Sequence, residues 1–357
     1  MQDIQLFNPP LPQANSNQVS WYLPHGASVA LTLSNAMQHS KQPLLIVAPD
    51  SLTASHLMEE LSFFNGNADN ILQFPDWETL PYDHFSPHQD IISERLAALY
   101  RLPSLQHGAI ITTVSTLMQR IPPATHLTSH SFMLKKGESL NPDILRTRLA
   151  EAGYHHVSQV REHGEFAIRG SIIDLYPMGS REPFRLDLFD NEVETIRFFS
   201  PETQRSGDQL DEINLLPAKE VPMTDAGIEK FRQSFRQDFS GNPLKCTLYQ
   251  DVSEGICPPG IEYYMPFFFD TTATLFDYLP KNTLVVTIQR THEKSHEFWH
   301  EIQSRYELCR HDITRPILTP EQLFLQPENI HSAFKQYAQL RINPESKKNM
   351  VEFSTEA

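Results

Sequence analysis

Leu44–Ala48 reads LLIVA, five residues with no polar position on either side of the pleat. Side chains alternate across a strand, so such a run has to be covered on both faces, as in an inner strand of a parallel sheet. Ala109–Val114 is a second strand of this kind. Helix signals surround the two. Residues 20–40 pass through a turn at Pro24–Gly26 into a helix. Asp50 or Ser51 caps another, in which Leu57, Leu61 and Phe64 recur at helical intervals. Asp90–Leu102 is amphipathic through Ile91, Ile92, Leu96 and Leu99. Strands alternating with helices predict an α/β domain with a doubly wound sheet.

Such a domain has a customary place for a phosphate, the turn before its first helix. That site needs glycine-rich backbone, a lysine reaching the phosphates and a hydroxyl for magnesium. Here the turn is Pro24-His25-Gly26-Ala27-Ser28-Val29, with one glycine and no lysine. Gly-Lys occurs nowhere in the chain, and no apolar strand ends in Asp-Glu; Leu284–Ile288 runs into Gln289-Arg290. His25, Gly26, Ala27 and Ser28 therefore mark a degenerate phosphate-loop position, and phosphoryl transfer lacks its parts. Ser28 after Gly26 begins a nucleophile turn that Ala30 leaves incomplete. Asp83, His84, His88 and Asp90 have metal-ligand chemistry but no metal-ligand spacing, and read as a polar loop. Trp77, Tyr82 and Phe85 lack interleaved Lys or Arg, so they fit a loop folded over a sheet edge better than a base-stacking platform.

The middle of the chain changes pattern. Asn141-Pro142 starts a helix whose stripe is Ile144, Leu145 and Leu149, stopping at Gly153. Three runs follow, Phe166–Tyr176, Phe184–Phe189 and Val193–Phe199, with a tight turn at Asp190-Asn191. They predict a small α+β insertion over residues 131–216, between α/β segments at 1–130 and 217–343. In the second run Phe184, Leu186 and Leu188 share one face, and Arg185, Asp187 and Phe189 the other. Arg169 alternates with Ala167, Ser171 and Ile173. An Arg beside an aromatic on a sheet covered on one side has the composition of an interaction hot spot. Solvated strand charges pairing with Glu165 or Asp187 would give the same pattern and contribute little.

In the last segment Thr224 caps a helix carrying Ile228, Phe231 and Phe235. Lys245–Gln250 and Thr283–Ile288 read as strands, and Phe298, Trp299 and Ile302 mark a further helix. The aromatic run Tyr263–Phe269 belongs to a core or interface, and residues 344–357 to a polar tail or linker. The net charge of −15 is spread along the chain with no basic platform, which argues against direct nucleic-acid binding. No apolar run is long enough for a membrane span, and no secretory signal opens the chain. Cys246, Cys257 and Cys309 are odd in number and not in CxxC spacing, as expected of buried thiols in a reducing compartment.

Several long blocks then carry a resemblance: FPDWETLPYDHFSPHQDIISERLAALY, VSTLMQRIPP, EHGEFAIRGSIIDLYPMGS, FRLDLFDNEVETIRFF, INLLPAKE and GIEYYMPFFF. In this order they resemble the N-terminal, UvrB-like part of the bacterial transcription-repair coupling factors, from about Leu11 to about Asn343. The resemblance implies a degenerate helicase-like (RecA-like) α/β domain in two segments, and an inserted module that binds UvrA. Arg169 in AIRG, and Arg185 and Phe189 in FRLDLF, match the family's UvrA-contacting positions, with Arg181 and Glu192 as lesser neighbours. It implies a cytoplasmic bacterial protein, no cofactor or metal for this part, and a non-catalytic adaptor recruiting excision repair to stalled RNA polymerase. RNA polymerase, DNA, ATP and magnesium would engage translocase and other domains beyond residue 357, and a C-terminal domain would mask the UvrA face. The alternative is a cryptic nucleotide-dependent or DNA-binding enzyme on the same frame.

Overall fold

Strands β1 (Gln18–Tyr22), β2 (Leu44–Ala48), β3 (Ile71–Phe74) and β4 (Ala109–Thr113) open the chain. They come from a computed structural model that describes residues 8–12, 18–22, 27–66, 69–343 and the backbone of 351–352. Helices Ser28–His39, Ser51–Asn65 and Gln89–Arg101 alternate with the strands. The uniform apolarity of β2 follows from where its side chains go. Leu44, Ile46 and Ala48 join one core with Leu33, Ala36, Leu57 and Leu61, and Leu45 and Val47 join the opposite core with Leu96 and Leu99.

Residues of the insertion form β5 (Phe132–Lys135), β6 (His155–His156), β7 (Glu165–Arg169), β8 (Ile172–Leu175), β9 (Phe184–Phe189), β10 (Glu192–Phe199), β11 (Ser206–Leu210) and β12 (Glu212–Leu215). β5 pairs antiparallel with β12, so the entering and leaving strands make a two-stranded stalk. The other six form one sheet in the order β11-β10-β9-β8-β7-β6. Leu145 and Leu149 of the helix Pro142–Glu151 are buried in the same core as its inner residues Phe166, Ile173, Leu175, Leu186 and Ile196. Buried Tyr154 ties the module together: its hydroxyl donates to the Leu216 carbonyl at 2.8 Å and accepts from the Met178 N–H at 3.3 Å.

Strands β13 (Leu284–Ile288), β14 (Ala338–Asn343) and β15 (Val351–Glu352) return to the first sheet. Its order is β15-β1-β14-β13-β2-β4-β3, parallel at every pairing. β13 and β14 thus lie between β1 and β2, and the early strands form one sheet only when the late ones fill the gap. The architecture is mixed α/β around a parallel sheet, as the apolar runs predict.

Local readings differ from the structure at identifiable points. Lys245–Gln250 is not a strand; Thr247–Ser253 is helical, with Leu248, Tyr249 and Val252 buried at helical spacing. Ile144 is 68% exposed, one position off the buried Leu145/Leu149 stripe. Phe166–Tyr176 is two strands, because Gly170 and Ser171 form a turn with Gly170 at φ +63°. That turn resets the alternation, so Ile173 pairs with Ile168 and faces the core, away from Arg169. The turn at Asp190-Asn191 is as expected, with φ of 48° and 64°. Trp77 and Tyr82 are buried and Phe85 is exposed. Most of the tail from 344 lies outside the described residues, but Val351 and Glu352 pair with Trp21 and Tyr22.

Candidate protein-interaction face

The outward side of the inserted sheet is set by register. Ala167 pairs with Asp174, Asp174 with Arg185, and Arg185 with Arg197, so these four form a row across β7 to β10. Asp174 is fully buried although it stands on the outer face. Arg185 covers it, with Nε 2.6 Å from Oδ1 and Nη2 2.9 Å from Oδ2, and Arg169 also reaches Oδ2. The Arg185 Nη1 donates to the Gln204 carbonyl at 3.1 Å, and its guanidinium lies 4.9 Å from the Phe199 ring centre. Ala167, Phe199 and Val160 form a small apolar cluster on this side, which explains how a carboxylate here loses its water. A buried carboxylate needs partners, and a bidentate guanidinium supplies both charge and geometry. The hydrogen bonds to Asp174, opposed by partial burial, raise the Arg185 pKa further.

Both cations stand on the outer face, as alternation predicts, and they differ in exposure. The Arg185 side chain is only 15% exposed, whereas that of Arg169 is 48% exposed. Neither pairs with Glu165 or Asp187: Glu165 accepts from the Arg161 and Glu162 N–H groups, and Asp187 from the Thr195 hydroxyl. Asp174 was missed as the partner, although a lone acid inside the apolar strand IIDL signals a buried counter-charge.

Phe189 meets the expectation of an outward ring. It is 68% exposed at the end of β9, four residues along the strand from Arg185. Glu192, exposed, is its cross-strand partner. Arg181 is exposed in the β8–β9 connection and lines a 440 Å³ cleft with Arg101, Glu94 and His163, between the insertion and the helix Gln89–Arg101. The structure therefore brings Arg169 and Arg185 together on one carboxylate, sets Phe189 and Glu192 at the adjoining turn, and leaves Arg181 at the junction with the larger sheet. There His163 Nδ1 lies 2.7 Å from Asp90 Oδ1, and the Gly179 N–H donates to Ser93 Oγ at 2.7 Å.

At the degenerate phosphate-loop position, His25 and Gly26 lie outside the described residues. Ala27 is exposed, and Ser28 opens the first helix with its carbonyl accepting from Thr32 Oγ1 at 2.7 Å. The Asp83, His84, His88 and Asp90 group does not converge on one point: His84 meets Arg315, His88 caps the Gln89–Arg101 helix with Nδ1 3.3 Å from Asp90 Oδ2, and Asp90 also meets His163. No described helix is long and apolar enough to cross a membrane.

The residues that build this face fall in a region, 132–221, that matches the family model of the UvrB interaction domain. The molecule thus carries a region similar to the UvrB interaction domain on a parallel α/β sheet. Along nearly its whole length it is also similar to transcription-repair-coupling factors. The Haemophilus influenzae protein is 42% identical over 349 residues, 97% of this chain and 30% of that protein. The Escherichia coli protein is 42% identical over 90% of this chain and 28% of its own length, and the Bacillus subtilis protein 27% over 77% and 25%. The chain belongs to the transcription-repair-coupling factor family and spans less than a third of the length of these relatives.

Proposed function

We propose that this chain is a non-catalytic adaptor that recruits the excision-repair protein UvrA through the outer face of β7 to β10. Residues 131–216 act as the docking unit, on a degenerate helicase-like, doubly wound frame made by 1–130 and 217–343. The observation that carries this reading is Phe189, a phenyl ring left 68% exposed on a sheet whose other side is core, inside the stretch matched to the UvrB interaction domain. Aromatic and Arg side chains at the centre of an interface carry most of its energy. Phe189 serves as the apolar anchor, Arg169 as the accessible cation, and Arg185 as the group that holds Asp174 and sets the face beneath them. Glu192 and Arg181 lie at the rim.

Because the relatives extend well beyond this chain, the remaining activities belong to parts not present in it. Those are ATP-driven DNA translocation, engagement of stalled RNA polymerase, and a C-terminal domain that covers the UvrA face. The test is UvrA binding by the purified chain and by Phe189→Ala. Loss of about 2 kcal/mol or more of binding free energy, with the circular dichroism spectrum unchanged, supports the docking face. Unchanged affinity overturns it. ATP turnover by the chain, with thermal stabilisation by ATP, would favour the nucleotide-enzyme alternative instead.

A further inference from the structure

Three histidines that the UvrA reading does not use meet on the opposite part of the chain. His292 and His296 lie one turn apart on the helix Thr291–Cys309, and His331 comes from the helix Pro327–Phe334. One ring nitrogen from each lies within 4.8 Å of the others, the only such group of three metal-ligand residue types among the described residues. His292 Nδ1 and His331 Nε2 are 2.5 Å apart, and the His292 ring centre is 4.7 Å from that of His296 and 4.5 Å from that of His331. The His292 and His331 imidazoles border an open cleft of about 710 Å³ beside β13 and β14, lined also by Thr287, Arg290, Glu293, Lys335 and Arg341.

We propose that His292, His296 and His331 form a binding site for one divalent transition-metal ion of the zinc type. Neutral imidazole is a borderline-soft nitrogen donor that suits Zn²⁺, Co²⁺ and Ni²⁺ and not Ca²⁺ or Mg²⁺. Histidines at i and i+4 stand on one helix face and supply two ligands, and the third arrives from a neighbouring helix. Nitrogens about 2.1 Å from a tetrahedral ion would stand roughly 3.4 Å from one another, a spacing that small ring rotations reach from the present one. Three protein ligands leave the fourth position for water from the open cleft.

Glu293 offsets Arg290 at the cleft, whereas Lys335 and Arg341 oppose a divalent charge, so binding is expected in the micromolar range rather than tighter. The bound ion would link two helices that flank the return of the chain to the parallel sheet.

The test uses the full chain after dialysis against chelator, titrated with Zn²⁺ by calorimetry and with Co²⁺ by absorption. One equivalent of Zn²⁺ should bind, and Co²⁺ should give the visible bands of a tetrahedral nitrogen–oxygen site without a near-ultraviolet thiolate band. His296→Ala and His331→Ala, both at accessible positions, should each weaken binding by at least about tenfold. His56→Ala, remote from the cluster in sequence and outside the three, should leave it unchanged. Absence of stoichiometric binding at 100-fold excess over a micromolar Kd (about 100 µM Zn²⁺), affinity unaltered in the His296/His331 double variant, or a thiolate band placing the ion on Cys246, Cys257 or Cys309 would each overturn the proposal.

Discussion

Two buried arginine–carboxylate pairs, one where the insertion leaves for the larger fold and one on the insertion's outer face, use the same chemistry to different ends. Arg95 and Glu220 are both removed from water, with side chains 0% and 1% exposed and Nε 2.8 Å from Oε1. The Arg95 guanidinium lies 4.3 Å from the Phe74 ring centre and 5.0 Å from that of Trp77, donates to the Pro75 carbonyl at 2.8 Å, and shares Glu220 with the Trp77 N–H at 2.9 Å. Arg185 and Asp174 are as tightly joined, but the Arg185 side chain keeps 15% of its surface and its neighbour Arg169 about half. A closed pair locks an element joint. A pair whose cationic edge stays wet can hold a sheet face in shape and still meet a partner.

The largest effect should come from opening the closed pair. Arg95→Ala leaves Glu220 charged and without its guanidinium, and urea unfolding should show a loss of about 3–5 kcal/mol. A loss below 1 kcal/mol would mean that water enters the joint and the pair is not closed.

A pH effect sharpens the same contrast, because the joint holds a second acid. Burial chiefly pushes the Glu262 carboxyl from 4.5 up to about 7, with nearby Glu220 adding to the rise against hydrogen bonds that include one from Ser86. The folded chain therefore holds this proton more firmly than the unfolded chain does. Its contribution to stability is complete below about pH 4.5 and is lost as pH rises through about 7, on the order of 3 kcal/mol in all. Glu262→Gln should remove that decline, so the variant gains on the parent chain between pH 5 and pH 8; parallel stability curves would refute it. The comparison also cancels His126, whose burial lowers its pKa to about 4 and gives a slope of opposite sign below pH 6.5.

The open pair should show a smaller effect. Arg185→Ala strands a buried carboxylate that Arg169 still neutralises in part, so unfolding should become easier by about 1–3 kcal/mol. Phe189→Ala, at an exposed ring, should stay within about 0.5 kcal/mol. If Arg185→Ala instead left stability unchanged, Asp174 would be reached by water, and the face would be looser than the hydrogen bonds indicate. The difference also settles how binding data are to be read: loss of UvrA affinity in Arg185→Ala mixes folding with contact, whereas loss in Phe189→Ala reports contact.

The sequence by itself determined the layers. LLIVA between helix signals fits an inner strand, Asn141-Pro142 fits a helix start, and Asp190-Asn191 can take the left-handed backbone that a two-residue hairpin needs. These are local facts, fixed by backbone preference and by alternation over a few residues, and they also placed Phe189 outward. Where local patterning was thin it misled: β-favouring residues in Lys245–Gln250 hid a helix, and a two-residue turn at Gly170 reversed the facing of Ile173.

Tertiary structure alone decided which charges are buried. Asp174 sits between Arg169 and Arg185 because three strands come into register, and Glu220 meets Arg95 across 125 positions of chain. The slotting of β13 and β14 between β1 and β2, and the meeting of His331 with His292 and His296, depend on the same long-range closure. Desolvation and ion pairing are properties of groups brought together in space, so spacing along the chain carries little of their signal.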